Sequence, residues 1–274
     1  MTGTTSASHL DRAAGRVARV HLVGAGPGPA DLLTLRAARL LATADLVVHD
    51  QLVTDDVLSS AGPGAELVPA GRRQGRVVVR HEEVVELLSV AAHAGRRVVR
   101  LKGGDPVVLG RGGEEALDLA ARGIACELVP GITSAVAAPE LAGIPVTHRG
   151  LAPGLMVMTA KRAPRSPAGS HAIDADLELA ARFSGTVVLL MGGTRIGELC
   201  GRLQSHGRCP TTPAAVVSHA GLPTQHVVTG SLADLPARAA TSRVATPAVL
   251  VIGGVVDVPA RVAGLLRTAT ATHA

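Results

Sequence analysis

The sequence reads Arg100-Leu-Lys-Gly-Gly-Asp-Pro-Val-Val-Leu-Gly-Arg-Gly-Gly-Glu-Glu115 in the middle of the chain, directly after an apolar run. Glycine lets backbone amides approach a ligand closely, and proline stiffens a turn, so the run predicts a loop. Its second glycine pair, Gly112-Gly113, precedes two acidic residues, which favour the positive end of a helix. A tight strand-to-helix turn would explain one such pair. Two pairs around Arg111 and Glu114 favour a functional site.

On both sides of this run, segments with the apolar pattern of a strand alternate with segments that have the apolar spacing of a helix. Short apolar runs predict strands, and apolar residues spaced three and four apart predict helices. In the first half the predicted strands cover 17–23, 45–48, 97–101 and 126–129, and the helices 32–43, 82–94 and 114–122. In the second half the strands cover 155–158, 186–190, 214–217, 226–229 and 248–252, and the helices 195–205 and 232–239. This order predicts an α/β fold of two domains, each a mostly parallel sheet flanked by helices.

The domain boundaries follow from the same order. Residues 1–18 are small and polar without periodicity, which predicts a disordered tail. We assign 19–132 to an N-terminal α/β domain, 133–258 to a C-terminal α/β domain and 259–274 to a C-terminal tail. Prolines and a glycine between 161 and 176 predict a long loop with the character of a lid. A crevice between two such domains is the natural place for a ligand.

Composition places the chain among globular enzymes. It has 274 residues, of which 47% are apolar, so it can form sizeable cores and is not generally disordered. No apolar run approaches the roughly 20 residues that a membrane helix needs, and the start lacks the apolar core of a signal peptide. We therefore expect a cytoplasmic protein without a membrane partner. Cys126, Cys200 and Cys209 show no Cys-x-x-Cys spacing, which predicts packing residues and no metal site.

The charge balance favours a small acidic ligand over nucleic acid. The chain has 27 Lys and Arg against 22 Asp and Glu, a formal net charge of +5. Phe183 is its one aromatic residue apart from histidine, and its arginines are dispersed, so nothing is available to stack on bases. A carboxylate-rich small molecule suits arginine better. The alternative, that arginine only solvates the surface, stays open.

The first glycine cluster, Gly24-Ala-Gly-Pro-Gly28, does not match the fingerprint of dinucleotide-binding loops. A Gly-x-Gly-x-x-Gly fingerprint requires glycine at position 29, where this chain has Pro29. Only Asp50 falls near the place of an acidic ribose ligand. The sequence also has no Walker motif, no nucleophile elbow and no metal-ligand spacing. Hydride transfer with a dinucleotide is therefore a weak hypothesis.

Eight segments, taken in order, carry a more specific pattern of glycine loops, arginines and a Thr-His-Arg turn. The segments are Gly24-Ala-Gly-Pro-Gly28, Leu32-Leu-Thr-Leu35, His49-Asp50, Gly71-Arg-Arg73, Arg100-Leu-Lys-Gly-Gly-Asp-Pro106, Gly110-Arg-Gly-Gly-Glu-Glu115, Val129-Pro-Gly-Ile-Thr133 and Gly143-Ile-Pro-Val-Thr-His-Arg149. From about Arg19 to Asp257 the chain resembles the uroporphyrinogen III C-methyltransferases of the tetrapyrrole methylase family. The sixth and eighth segments together favour these over the later methylases of the cobalamin pathway.

The resemblance implies a fold, a reaction and partners. The fold is the two-domain tetrapyrrole methylase fold, and the assembly is a homodimer. The methyl donor is S-adenosyl-L-methionine, which leaves as S-adenosyl-L-homocysteine. The substrate is the tetrapyrrole uroporphyrinogen III, methylated at two ring carbons to give precorrin-2 by way of precorrin-1. The product would serve siroheme or cobalamin biosynthesis.

The resemblance also assigns roles to single residues. The catalytic positions are Asp50, Arg72, Arg111 and Glu114, of which Asp50 falls on the proposed proton acceptor. The substrate-binding positions are Arg149 and His148. The cofactor-binding positions are Pro27, Gly103, Gly104, Asp105, Val108, Thr133, Ser134, Met191 and Ala220. We expect Gly104→Val to remove cofactor binding with little loss of folding stability.

Four of these residues also have a purely structural interpretation. Asp50 at a strand end can be a turn or cap residue. Met191 can be an ordinary core residue. His148 alone is more typical of a hydrogen-bonded structural histidine, which makes Arg149 the better substrate ligand. Glu114 serves either the helix N-terminus or the placement of Arg111.

The chain departs from the family pattern at several positions. Arg72 stands where relatives carry a lysine proposed as proton donor, and arginine stays protonated. Val107 and Leu109 replace an aromatic pair, and His49 replaces a tyrosine, so the pocket should be roomier and less suited to stacking. Three alternatives therefore stay open: a catalytically weakened relative, a methylase of another precorrin, and a dinucleotide-dependent oxidoreductase.

Overall fold

Short runs rich in valine and leucine form the strands of two separate sheets. The computed structural model describes residues 18–73, 76–161 and 169–272, with the backbone alone at 71–73, 76–79, 169–173 and 271–272. The predicted tail, 1–18, lies outside these residues apart from Ala18. The chain divides into two units, Met1–Thr133 and Ser134–Ala274, each with its own sheet and core.

The first unit alternates strands and helices. Its described strands are β1 (Val20–Gly24), β2 (Leu46–Asp50), β3 (Glu66–Arg73), β4 (Arg76–Val79), β5 (Val98–Lys102) and β6 (Cys126–Val129). Its described helices are α1 (Leu35–Thr43), α2 (Asp55–Leu58), α3 (His81–His93) and α4 (Gly112–Ala120), with a 3-10 turn at Ala30–Leu32.

The sheet of the first unit has the strand order β4-β3-β2-β5-β1-β6. Strands β3, β2, β5, β1 and β6 run parallel, and β4 pairs antiparallel with the end of β3. Helices α1 and α2 cover one face through Leu41 and Val57, and α3 and α4 cover the other through Leu88 and Leu119. Because both faces are covered, β2 begins with three buried apolar residues and all five residues of β5 are buried.

The connections that leave β1 and β5 run in opposite directions. The chain leaves β1 through α1 toward β2 on one face, and it leaves β5 through α4 toward β6 on the other. Ligands of open α/β sheets bind outside the carboxyl ends of neighbouring strands whose connections diverge in this way. The topology therefore indicates that a ligand would bind at the loops after β1 and β5.

The second unit has a different sheet. Its described strands are β7 (Leu155–Thr159), β8 (Thr186–Leu190), β9 (Pro213–Ser218), β10 (His226–Ser231) and β11 (Ala248–Ile252). Its described helices are α5 (Ser134–Leu141), α6 (Gly169–Arg182), α7 (Ile196–Ser205), α8 (Leu235–Thr241) and α9 (Val258–Thr272).

The strand order of the second sheet is β10-β9-β11-β8-β7, in which β7 and β8 are parallel and the other three pairings are antiparallel. The predicted two-domain α/β fold is confirmed, but this sheet is mixed, and the prediction that it is mostly parallel was wrong. The short turn between β9 and β10 explains one antiparallel pair, because a parallel pair needs a crossover of about a dozen residues or more.

Two segments predicted to lack structure contain helices. Helix α6 begins at Gly169, inside the predicted loop 161–176, while 162–168 lies outside the described residues. Helix α9 extends to Thr272, so the predicted C-terminal tail, 259–274, is largely helical. The sequence prediction placed Pro259 in a tail. Pro259 is the second residue of α9, and proline is favoured in the first turn of a helix.

The sequence prediction also missed β3, β4, α2 and α5. Strand β3 contains Pro69, which argues against a central strand. Pro69 pairs in register with His49 of β2, and β4 joins β3 only from Gly71 onward, so at Pro69 the strand has a neighbour on one side alone among the residues that the structure describes. A residue without an N–H is tolerated at such an edge position.

The cysteines differ in environment. Burial raises the pKa of the Cys200 thiol to about 11, and burial followed by the charge of Glu115 raises the pKa of Cys126. Both thiols are therefore neutral near pH 7. Cys209 is exposed, so its prediction as a packing residue was wrong. Among the residues described above, no helix combines the length and apolarity that a membrane span requires.

Candidate active site

Two glycine loops meet at the carboxyl edge of the first sheet. Gly26 follows β1 and Gly104 follows β5, and the two residues form a β-bridge. The Gly26 amide donates to the Gly104 carbonyl at 3.1 Å, and the Gly104 amide donates to the Gly26 carbonyl at 2.9 Å. Clusters that lie almost 80 residues apart in the sequence are thus parts of one loop pair, at the edge where ligands of such sheets bind.

Three glycines allow the backbone of this edge to pack closely. A Cβ atom at Gly24 would lie 2.5 Å from Gly131 Cα, and a Cβ atom at Gly131 would lie 2.3 Å from the Gly104 carbonyl oxygen. Gly104 itself has a φ of +68°, in the left-handed region that favours glycine. Packing and backbone conformation therefore account for these three glycines without any ligand.

Gly103 is different, because neither reason applies to it. A Cβ atom there would meet only Leu52 Cβ at 3.6 Å, an ordinary contact, and its φ lies outside the left-handed region. Glycine at this position leaves the backbone after β5 open, and the loop that continues from it carries the exposed apolar side chains of Val107, Val108 and Leu109. Open backbone next to apolar surface fits a ligand that has both polar and apolar parts, such as a nucleoside derivative.

Asp105 organises the loop after β5. Its Oδ1 accepts hydrogen bonds from the amides of Val107 and Val108 at 2.9 and 3.1 Å, and its Oδ2 accepts from the Gly131 amide at 3.2 Å. The Gly112 amide closes the loop on the Pro106 carbonyl at 2.9 Å. The carboxylate of Asp105, predicted to bind cofactor, thus holds the loop and ties it to the end of β6.

Arg111 and Glu114 form an exposed pair at the start of α4. Arg111 caps the helix with a φ of 63°, and Leu109 before it has a φ of 57°. Non-glycine residues in this region store about 1–3 kcal/mol of strain each and occur preferentially at functional sites. Arg111 Nε donates to Glu114 Oε1 at 3.4 Å, and both side chains are more than half exposed. Glu114 thus stands in the first turn of α4 and also contacts Arg111.

A group of four charges, three of them buried, lies at the ends of β2 and β5. We call Asp50, Arg100, Lys102 and Glu115 the charged quartet. Arg100 Nη2 donates to Asp50 Oδ1 at 2.5 Å and to Glu115 Oε1 at 3.1 Å, and Lys102 Nζ donates to the same Glu115 oxygen at 2.8 Å. Asp50 is therefore one end of an ion-pair chain, and its side chain caps no helix, since Thr54 is the N-cap of α2.

The sequence prediction singled out Asp50 and missed the other three members of the quartet. A usable signal was present, because Arg100 and Lys102 are two residues apart in a strand that is otherwise apolar. Residues at that spacing point to the same face of the sheet. Two cations on a face covered by α3 and α4 need carboxylate partners, and Glu115 is the buried acidic residue of α4.

In the second unit, two predicted cofactor positions lie at strained strand ends. Met191 directly follows β8 with a φ of 61° and is 47% exposed, so the alternative that it is a core residue is wrong. Ala220 follows His219, which has a φ of 48° and stands directly after β9. Left-handed non-glycine residues at strand ends are typical of binding sites.

The predicted substrate residues of the second unit lie on a tight turn. The backbones of His148 and Ala152 exchange hydrogen bonds of 3.0 and 2.9 Å, and Gly150 has a φ of +82°. His148 Nδ1 lies 2.7 Å from the Arg149 carbonyl oxygen. Arg149 is exposed and has no ion pair within the part of the chain that the structure describes. This arrangement favours Arg149 over His148 as the ligand of an anionic substrate.

The remaining predicted residues are placed as follows. Pro27 is half-buried in the loop after β1. Thr133 and Ser134 follow β6, and Ser134 begins α5. The backbone of Arg72 lies in β3, while its side chain is outside the described residues.

The chain matches known proteins over most of its length. Residues 19–236 match the family model described as Tetrapyrrole (Corrin/Porphyrin) Methylases. An S-adenosyl-L-methionine-dependent uroporphyrinogen III methyltransferase from Methanosarcina barkeri is 43% identical over 242 residues, 88% of this chain and 93% of that protein. Uroporphyrin-III C-methyl transferase from Thermus thermophilus, complexed with S-adenyl homocysteine, has a TM-score of 0.72 at 41% identity and covers 88% of this chain and 99% of that chain.

A second kind of relative is longer. Siroheme synthase from Chromobacterium violaceum is 43% identical over 244 residues, which are 89% of this chain and 51% of that protein. The chain therefore spans about half the length of this relative.

Proposed function

Because the chain belongs to the tetrapyrrole methylase family, we propose that it methylates uroporphyrinogen III at two ring carbons, producing precorrin-2 by way of precorrin-1. The methyl donor is S-adenosyl-L-methionine. The observation that carries the proposal is 43% identity to a uroporphyrinogen III methyltransferase across 93% of that protein. We extend the proposal to a cytoplasmic homodimer whose product enters siroheme or cobalamin biosynthesis.

The residues at the sheet edge fit the methyl donor. When bound, S-adenosylmethionine supplies a methyl group on a sulfonium sulfur for in-line transfer to a nucleophilic carbon. The chain's task is to hold both reactants within reach and to accept one proton. The open backbone at Gly103 and the apolar side chains of Val107 and Val108 provide a surface for the donor. Met191 and Ala220 supply further donor contacts in this proposal.

The charged residues divide between proton transfer and substrate binding. Asp50 is one-third exposed and accepts the proton that the methylated ring loses. Uroporphyrinogen III carries many carboxylates, for which the planar fork of arginine is better suited than an ammonium group. Arg111 and Arg149 are both exposed, and we assign them, with Arg72, to these carboxylates. Glu114 orients Arg111, and His148 supports Arg149.

The direct test is anaerobic incubation of the protein with S-adenosylmethionine and freshly made uroporphyrinogen III. Mass analysis should show a product carrying two added methyl groups, with S-adenosylhomocysteine formed alongside. Binding of S-adenosylhomocysteine without methylation would indicate a weakened relative or a methylase of another precorrin. Tight binding of NAD with no binding of S-adenosylhomocysteine would overturn the assignment in favour of an oxidoreductase.

The first prediction concerns Gly103. We expect Gly103→Ala to weaken S-adenosylhomocysteine binding by at least about tenfold, since the new methyl group occupies space at the open backbone. Its free energy of unfolding should stay within about 1 kcal/mol of the wild type, because glycine is not required there by packing or conformation. Isothermal titration and urea unfolding measure the two effects.

The matched control is Gly64→Ala. Gly64 is exposed, and a Cβ atom there would have no neighbour within 4 Å, so this variant should bind S-adenosylhomocysteine like the wild type. Normal binding by Gly103→Ala as well would mean that no ligand approaches this backbone. Gly104→Val is unsuitable for the purpose, because the φ of +68° makes valine strained there. The expectation that this variant loses little folding stability was therefore wrong.

The second prediction concerns Arg72, which stands where members of the resembled family carry a lysine. An arginine that stays protonated acts as a carboxylate clamp and not as an acid. We therefore expect Arg72→Lys to keep most of kcat with a raised KM for uroporphyrinogen III. Arg72→Ala should lose about 10- to 100-fold in kcat/KM, the value of one charged hydrogen bond.

The pH dependence distinguishes a clamp from an acid at position 72. The wild type should show no alkaline limb from this residue, whereas the lysine variant should gain one as its ammonium loses a proton. Equal kcat and KM in Arg72→Ala and the wild type would place the residue outside the site.

A further inference from the structure

The charged quartet arises from the register of two neighbouring strands and one helix. Val48 of β2 pairs with Arg100 of β5, and Asp50 lies two residues beyond Val48 on the same face. Lys102 follows Arg100 by two residues and shares that face as well. Glu115 is on the buried side of α4, which packs over these strand ends. Four charges from three elements therefore converge below the loop after β5.

Arg100 is held by an unusually complete set of acceptors. Its Nη2 bonds Asp50 and Glu115, its Nε bonds the same Glu115 oxygen at 3.3 Å, and its Nη1 donates to the carbonyls of Leu101 and Val48 at 3.2 and 3.4 Å. All three nitrogens are thus engaged. A planar guanidinium with all nitrogens engaged has a fixed orientation, which it passes on to the carboxylate that it binds.

Exposure increases along the quartet toward Asp50. The side chains of Lys102, Glu115 and Arg100 are 3%, 4% and 5% exposed, whereas that of Asp50 is 32% exposed. Within the ranges that the structure describes, Asp50 Oδ1 binds Arg100, and Oδ2 has no hydrogen bond. The three buried residues therefore hold Asp50 by one carboxylate oxygen and leave its other oxygen without a hydrogen bond.

Stability alone does not account for three buried charges. Desolvation of ions is expensive, and apolar replacements of buried ion pairs are often neutral or stabilising. Glu115 Oε2 is also buried without a hydrogen-bond partner, which adds to this cost. The quartet is balanced in charge, with two cations and two carboxylates. Its ion pairs hold the Asp50 carboxylate in a fixed position in which it is still accessible to solvent.

We propose that Arg100 and Glu115 are positioning residues: Glu115 anchors the Arg100 guanidinium, and Arg100 fixes the Asp50 carboxylate for proton acceptance. Lys102 balances the charge of Glu115 and holds its Oε1. This inference rests on the proposed function of Asp50. It extends that function to side chains that touch neither methyl donor nor tetrapyrrole.

Two double variants with equal charge test the anchoring step. Glu115→Gln/Lys102→Met keeps an oxygen that accepts from Arg100, and Glu115→Leu/Lys102→Met removes it. Both keep the residues Arg100 and Asp50, and in both the four positions carry no net charge. We expect the first variant to keep kcat within about fivefold of the wild type and the second to lose at least about 30-fold, since displacement of a reacting group by about 1 Å costs about 100-fold.

The other measurements separate positioning from folding. KM for both substrates and the affinity for S-adenosylhomocysteine should be similar in the two double variants, and both should be folded at the assay temperature, although the leucine variant leaves Arg100 Nε without an acceptor and should have the lower thermal midpoint. Glu178→Gln breaks the exposed pair with Arg182 on α6 and should change none of these values. Equal kcat in the two double variants would overturn the anchoring role. If either double variant fails to fold, Arg100→Lys tests the positioning role in its place. Positioning requires this variant to have at least a tenfold lower kcat than the wild type, and an unchanged kcat contradicts it.

Crystal structures of the free double variants provide a readout that needs no activity. Positioning requires Asp50 to keep its wild-type rotamer in the glutamine variant and to move or split between rotamers in the leucine variant. An unmoved Asp50 in the leucine variant contradicts positioning, whatever the enzyme does. Absence of methylation by the wild type, with Asp50 displaced as expected, would instead reject the proposed function and leave the structural role standing.

Discussion

Asp50→Asn is expected to lower kcat by about 10²- to 10⁴-fold, the usual contribution of a positioned general base. Asparagine has the same shape, and its oxygen can still accept from Arg100, but its amide cannot take up a proton. The affinity for S-adenosylhomocysteine should stay within about threefold of the wild type, because the change concerns the proton side of the reaction. Anaerobic turnover with mass analysis measures kcat, and isothermal titration measures the affinity.

The control for this variant is Asp257→Asn. Asp257 is exposed and has no hydrogen bond or ion pair from its carboxylate among residues 18–73, 76–161 and 169–272, so its loss should leave turnover unchanged. If Asp50→Asn turned over like the control, Asp50 would not be the proton acceptor. The positioning role of Arg100 would then lose its purpose, although the hydrogen bonds of the charged quartet would remain.

Gly131→Ala is expected to be the most destabilising single methyl group in the first unit. The new Cβ atom would lie 2.3 Å from the Gly104 carbonyl oxygen and 2.7 Å from Gly24 Cα, and both neighbours are backbone atoms that cannot rotate away. The ends of β1, β5 and β6 must then move apart. We expect a loss of about 3 kcal/mol or more in the free energy of unfolding, at the upper end of the range for overpacking. Urea unfolding measures it directly.

Gly201→Ala is the matched control for the added methyl group. Gly201 lies inside α7, is exposed, and a Cβ atom there would have no neighbour within 4 Å. Alanine is preferred to glycine in a helix by about 1 kcal/mol, so this variant should be more stable than the wild type. A Gly131→Ala protein as stable as Gly201→Ala would show that the three strand ends are not packed as closely as the structure has them.

The departures from the family pattern concern surfaces more than the framework. Val107 and Leu109, which replace an aromatic pair in the resemblance, are exposed by 48% and 40% in the loop that begins at Gly103. Apolar contact remains possible there, but ring stacking does not. The loop that carries them is closed by Asp105 and the Pro106 carbonyl, neither of which depends on the missing rings. The framework of the site therefore persists although its surface differs.

Local periodicity was sufficient to predict most elements of the first unit, and the order of eight motif segments carried the resemblance to the family. Short runs of valine and leucine mark β1, β2 and β5, and glycine runs mark the loops after β1 and β5. It failed where a local signal conflicts with the tertiary context, as at Pro69 in β3. It also failed where a residue has two interpretations, as at Pro259, which is compatible with a tail and with the first turn of a helix. It also gave no information on strand direction in the second sheet, because direction depends on which strands become neighbours.

The geometry of the site depends on pairings that no local pattern contains. Gly26 meets Gly104, and Arg100 meets Asp50 and Glu115, only because β1, β2 and β5 are adjacent in a particular register and α4 covers their ends. Residue types in the sequence indicated a functional site around residues 100–115, and the resemblance to the family implied methyl transfer there. Register decided which charges are buried together, since a shift of one residue would turn Arg100 to the opposite, apolar face of the sheet.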